Sequence, residues 1–148
     1  MRKFLFRGKR INGDGWVEGG IDSNEDGNVF ISRKRRYFPD TRDWDTADWY
    51  EKNPHYARSF YHVIPETVGQ YIGLLDDKGK KIFEGDIVQT KQGRRYVVVW
   101  VSTYTYSGWD LKPISPTFCG CMKPEPLNIY KSDNLSVVGN IHDQVEAE

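Results

Sequence analysis

Pro65-Glu-Thr-Val-Gly-Gln-Tyr-Ile-Gly-Leu-Leu-Asp-Asp-Lys-Gly-Lys-Lys-Ile-Phe-Glu-Gly-Asp-Ile-Val88 is the stretch whose reading decides the fold. It parses as two strands and two turns. Gln70 to Leu75 carries aromatic and aliphatic residues around Gly73, and Asp76 to Lys80 is a polar turn centred on Gly79. Lys81 to Val88 resumes the strand pattern through Glu84-Gly85-Asp86. Glycines at 69, 73, 79 and 85 recur at the short intervals expected where a chain turns sharply or admits another backbone. This is a folding signature and holds no chemistry.

C-terminal to it, Gln92-Gly93 marks a turn and Arg94 to Tyr106 gives the longest strand signal in the chain. Val97, Val99 and Val101 fall on one face, and Tyr96, Val98, Trp100, Tyr104 and Tyr106 on the other. The valine face is expected in the core. The aromatic face suits either a base-stacking platform or a second buried face, with Trp100 expected to be covered. Pro113, Pro116, Pro124 and Pro126 break Asp110 to Tyr130 into an irregular excursion, after which Leu135 to Ile141 returns as a strand placed to close a barrel.

N-terminal to it, Lys3 to Lys9 and Trp16 to Glu18 flank the turn residues Asn12 to Gly15 and predict a hairpin; Val29 to Ile31 adds a third strand to a meander. The best helix candidate lies between Asp40 and Asn53-Pro54, with Trp44, Ala47 and Glu51 on one side. The neighbouring Trp49, Tyr50, Tyr56, Phe60 and Tyr61 are expected to pack as a lid over the sheet, the alternative being an exposed partner patch.

Basic and acidic residues balance at 21 each, so net charge gives no reason to expect a general nucleic-acid or anionic-membrane binder. An aromatic content of 14% with frequent Gly and Pro favours short strands and tight turns over a helical bundle. The basic N-terminus lacks the apolar core of a signal peptide, and no run nears the roughly twenty apolar residues of a spanning helix. A cytoplasmic protein with no membrane partner is the expectation.

Asp22, Asn24, Asp26 and Gly27 match the opening of a calcium loop, yet Arg33 stands where the bidentate carboxylate belongs, so a hairpin turn is the preferred reading. Arg33-Lys34-Arg35-Arg36 followed by Tyr37, together with Arg94, Arg95, Tyr104 and Tyr106, forms the candidate macromolecule-binding set: cations for phosphates beside rings for bases. Against it, Asp40, Asp43, Asp45, Asp48 and Glu51 follow the basic run closely enough to neutralise it. Cys119-Gly120-Cys121 with His55, His62 and His142 supplies zinc-ligand types at the wrong spacing, so neither metal nor cofactor is expected. Glu84 and Asp86 share one side of a strand as acid–base work would require, but carboxylates flanking a glycine more often accept backbone amides in a diverging turn.

The run Glu66 to Tyr71, with Gly73-Leu74, Asp77-Lys78-Gly79 and Ile82 to Val88, resembles the central motif of the YopX family of phage and prophage proteins. Phe6 to Arg10 with Trp16 to Gly19 is similar to that family's opening, Val97 to Trp100 to its middle strand, and Val138 to His142 to its close. The resemblance implies a small β-rich, SH3-like barrel and brings no catalytic residues with it. The fold expected is therefore mainly β: an SH3-like small barrel over 63–148, preceded over 1–62 by a β-meander carrying a short helical, aromatic-rich insertion. The function expected is a non-catalytic phage or prophage accessory protein in the cytoplasm of a bacterial host, binding a phage or host macromolecule or forming a homo-oligomer. Nucleic-acid binding through 33–36 and 94–95 is the alternative, and hydrolysis by Glu84 and Asp86 a lesser one.

Overall fold

Gly13 and Gly15, at φ 83° and 85°, make the turn that lets β1 (Phe6–Lys9) fold back on β2 (Trp16–Ser23). The structure, a computed structural model, describes residues 4–13, 15–34, 58–114, 125–127 and 132–144. It divides into two units, Leu5–Val68 and Gly69–Glu146, the latter taking in the N-terminal Phe4.

In the first unit, β3 (Val29–Lys34) and β4 (Arg58–Val63) extend the hairpin into an antiparallel meander of order β4-β3-β2-β1. The turn from β2 to β3 is the stretch that resembled a calcium loop. There the Asn24 side-chain oxygen accepts the amides of Asp26 at 3.1 Å and Asn28 at 3.0 Å. Asp22 accepts the amide of Ser23 at 2.8 Å, so two of the would-be ligands are engaged by the turn itself. The fourth strand departs from the expectation that Phe60 and Tyr61 belong to the aromatic insertion; in it Val63 packs with Val17 and Ile31 as the unit's core. The meander curls until its outer strands meet at one end, where Arg10 bridges Val63 and the Ile64 amide donates to the Lys9 carbonyl at 2.8 Å. The proposed helix and most of its aromatic cluster lie outside the described residues.

The second unit is a hairpin laid on a sheet. β5 (Gly69–Leu75) pairs with β6 (Lys81–Phe83), and β7 (Asp86–Thr90), β8 (Arg95–Ser102), β9 (Ser107–Pro113), β10 (Glu125–Pro126) and β11 (Leu135–Asn140) form an antiparallel sheet of order β10-β9-β8-β7-β11. Ile72 and Ile82 from the hairpin meet Val88, Tyr96, Val98, Leu111 and Leu135 from the sheet. Leu135 to Asn140 does return as a strand, but it pairs only with β7 and ends the sheet. The expected SH3-like closed barrel is therefore not formed among the described residues: two layers share a core, with β10 and β11 at open edges.

The long strand is inverted relative to expectation. Val98 is fully enclosed and Tyr96 nearly so, whereas Val97, Val99 and Val101 are only half-buried and Trp100 is 50% exposed. Both faces carry valine, so alternation alone could not choose between them. The choice is made by register, which sets Val98 opposite Leu111 on one side while Tyr96 opposes Val88 on the other.

Two carboxylates stitch the second unit together. Gly85, at φ 85°, turns β6 into β7; its amide donates to the Val98 carbonyl at 2.9 Å and its carbonyl accepts the Ile141 amide at 3.0 Å. Next to it Asp86, with no exposed surface, accepts the Phe83 amide at 2.9 Å and the Asn140 side-chain amide at 3.0 Å. Asp76 closes the β5–β6 turn by accepting the amides of Lys78 at 2.9 Å and Lys80 at 2.8 Å, and reaches across to the Val137 amide at 3.0 Å. Burial works against its ionised form, but the Val137, Lys80 and Lys78 amides and the Lys80 charge outweigh it and hold its pKa below the ordinary 3.8.

Three outcomes follow from this packing. Val98→Ala is expected to cost about 2–3 kcal/mol in urea denaturation and Val99→Ala under about 1; equal costs would mean the strand faces are misassigned. Asp86→Ala should cost about 3 kcal/mol by orphaning two buried donors, and a cycle with Asn140→Ala should return a coupling of about 1–2. Because the folded-state pKa of Asp76 is depressed, its contribution is complete above pH 3.8 and is lost as pH falls through the folded value. The loss of stability on acidification from pH 5 should therefore be smaller in Asp76→Asn than in the parent, read from denaturation midpoints.

Candidate functional site

Trp100 and Trp109 stand directly opposite one another on β8 and β9, their rings 5.0 Å apart and inclined at 73°. They lie on the face that carries Val98 and Leu111, two pairing steps further along. That face is covered where Val98 and Leu111 lie. At the tryptophans the cover ends, leaving Trp100 half in solvent and Trp109 packed by one side against the core.

The two rings form one wall of an open depression of about 400 Å³, whose remaining lining is Phe4, Gln70 and Glu84. Backbone geometry places the polar pair. The Glu84 amide donates to the Gln70 carbonyl at 2.9 Å, and β5 passes so close that a Cβ on Gly69 would sit 2.5 Å from the Glu84 carbonyl oxygen. Only glycine fits there, and the contact brings the Glu84 and Gln70 side chains to the same rim. The Glu84 carboxylate takes no hydrogen bond or ion pair among the described residues. The Trp109 indole N–H is enclosed without an acceptor among them.

Asp86, the other half of the proposed acid–base pair, faces away from such work. Both of its oxygens accept hydrogen bonds inside the fold, so the turn reading of Glu84-Gly85-Asp86 describes Asp86, while Glu84 is left at the depression.

Of the nine candidate binding residues, the four in the second unit fall at two separate places. Arg33 and Lys34 end β3 in the first unit, and Arg35, Arg36 and Tyr37 lie outside the described residues. Arg94 and Arg95 occupy the β7–β8 turn, where the Arg95 guanidinium donates to the Gln89 side chain at 3.0 Å. Tyr104 and Tyr106 sit at the opposite end of β8, about 23 Å away at the usual rise per strand residue. Tyr104 is fully exposed. Tyr106 is tied down: its hydroxyl donates to Asp110 at 3.2 Å and its ring covers Gly108. Burial, then the bond to Asp110 and that residue's charge, raise the Tyr106 pKa above its ordinary value of 10.0. Among the possible zinc ligands, His62 stacks on Phe30 at 5.0 Å, both cysteines fall outside the described residues, and no group of three metal-ligating side chains occurs within them.

Sequence reading thus missed Phe4, Gln70 and Trp109 and expected Trp100 to be covered. One signal was present. A four-residue loop over Thr103 to Tyr106 pairs Ser102 with Ser107, and counting back along both strands sets Trp100 against Trp109. Its weakness is that Arg94 to Tyr106 reads as one continuous strand and Asp110 to Tyr130 as an irregular excursion, which hides the hairpin.

No curated protein matches the chain. The family described as YopX protein matches residues 23–146, most of the chain and both of its units. The central glycine-punctuated motif, the valine strand and the closing Val138 to His142 all lie inside that span, and the chain belongs to the YopX protein family.

Proposed function

We propose that this chain is a non-catalytic accessory protein of phage or prophage origin, acting in the host cytoplasm by binding another macromolecule through the Trp100–Trp109 corner. The observation that carries the reading is the pair itself. Two large rings are held rigidly on paired strands and left partly uncovered beside polar groups, which is how interface anchors are built. The engagement of both Asp86 oxygens in the turn supports a binding role over acid–base chemistry.

Self-association is a second reading, favoured by the outermost strands β11 in one unit and β4 in the other, whose outer sides are only partly taken up, by Asp76 and Asp77 at β11 and by Lys9 to Ile11 at β4. Nucleic-acid binding would instead use Arg33 to Arg36 with Arg94 and Arg95, and would weaken steeply with salt.

Photo-cross-linking in a lysate of host bacteria compares the parent with Trp100→Ala, whose folding is checked by its urea midpoint. A partner captured by the parent and lost in the variant is the expected result. Identical capture by both removes the corner from the contact, and a cross-linked homodimer would assign the corner to self-association.

A further inference from the structure

We propose that the Trp100–Trp109 depression receives a cationic side chain, arginine or lysine, from a basic segment of the partner protein. This rests on the preceding reading of the corner as a contact surface and adds the chemistry of what fills it.

Indole ring faces are negative, and this edge-on pair, inclined at 73°, lines the depression from two directions rather than as a single plane. Glu84 adds a full negative charge at the rim, and its carboxylate has no cation or donor among the described residues. Gln70 contributes a neutral amide and Phe4 a third ring, so no lining residue carries a positive charge. Rings plus an uncompensated carboxylate form a complementary surface for a guanidinium or ammonium and a repulsive one for phosphate.

Elsewhere in the chain two aromatic rings are capped by its own cations. In the first unit the Arg7 guanidinium lies 4.8 Å from the centre of the Trp16 ring, and that of Arg10 lies 4.8 Å from the centre of Tyr61. Those rings are covered by the protein's own cations. At Trp100 and Trp109 the matching cation is not supplied by any described residue, although the ring geometry and the carboxylate are in place.

Phosphate-bearing partners are disfavoured by the same features. A base stacking on Trp100 would carry its backbone charge toward Glu84, and Arg94 and Arg95 are at the far end of β8.

The test titrates the full chain, with tryptophan indoles labelled for NMR, with Nα-acetyl-arginine methylamide, its neutral citrulline analogue, and a thymidine oligonucleotide. Saturable shifts of both the Trp100 and Trp109 indole signals with the arginine probe are expected, at least roughly five-fold weaker with citrulline. Glu84→Gln should remove that preference with the fold unchanged, and Trp100→Ala should abolish the shifts. Equal response to citrulline, an unchanged preference in Glu84→Gln, or no saturable shift would overturn the proposal. So would saturable, salt-sensitive shifts with the oligonucleotide alone. If cross-linking depends on Trp100 while the arginine probe fails, the corner remains a contact and only its cationic ligand is wrong; failure of both removes the two readings together.

Discussion

A buried carboxylate with two donors holds the second unit in shape. Asp86 has left water completely, and a buried carboxyl group without hydrogen-bond partners is costly; the Phe83 amide and the Asn140 side chain both donate to it. Those donors come from different places: one from the end of β6, the other from the end of β11. The neighbouring Gly85 links the same region to β8 and to Ile141 through its own amide and carbonyl. One turn thereby pins four parts of the unit, and every register that follows inherits its position from that turn.

From this anchoring the exposed tryptophans follow as a geometric consequence. β8 is pinned at Val98, which fixes which of its faces meets the β5–β6 hairpin. Past Val98 and Leu111 the same face continues without a lid, and the residues there are Trp100 and Trp109. Glu84 reaches the edge of this uncovered end because it sits one residue before the pinned glycine, held at Gln70 by a backbone contact that excludes a side chain at Gly69. The site is thus made by the scaffold's rigid parts, which suits an anchor that must be in place before a partner arrives.

Much of this was legible from the chain. The hairpins around Gly13, Gly79 and Gly93, the strand character of the middle stretch, and the structural use of Asp86 all follow from local turn chemistry, which depends on a few adjacent residues. What was not legible depends on partners far away in sequence. The facing of Val97 to Trp100 is a matter of register against Val88 and Leu111, and a strand with valine at successive positions offers no periodicity to betray it. β4 was hidden for the opposite reason: its aromatics sit beside a charged, ring-rich segment that dominated the local pattern. Whether strands close into a barrel is more remote still, since it turns on what Leu135 to Asn140 pairs with on its outer side.

Native-state hydrogen exchange at the Phe83, Gly85 and Ile141 amides tests the lock most directly. All three are expected to exchange only when the whole unit opens, with protection equal to that of Val98. Exchange as fast as that of the turn amides of Gly79 and Gly93 would contradict it, because the glycine turn would then be a flexible connection and the tryptophan corner would have no fixed frame.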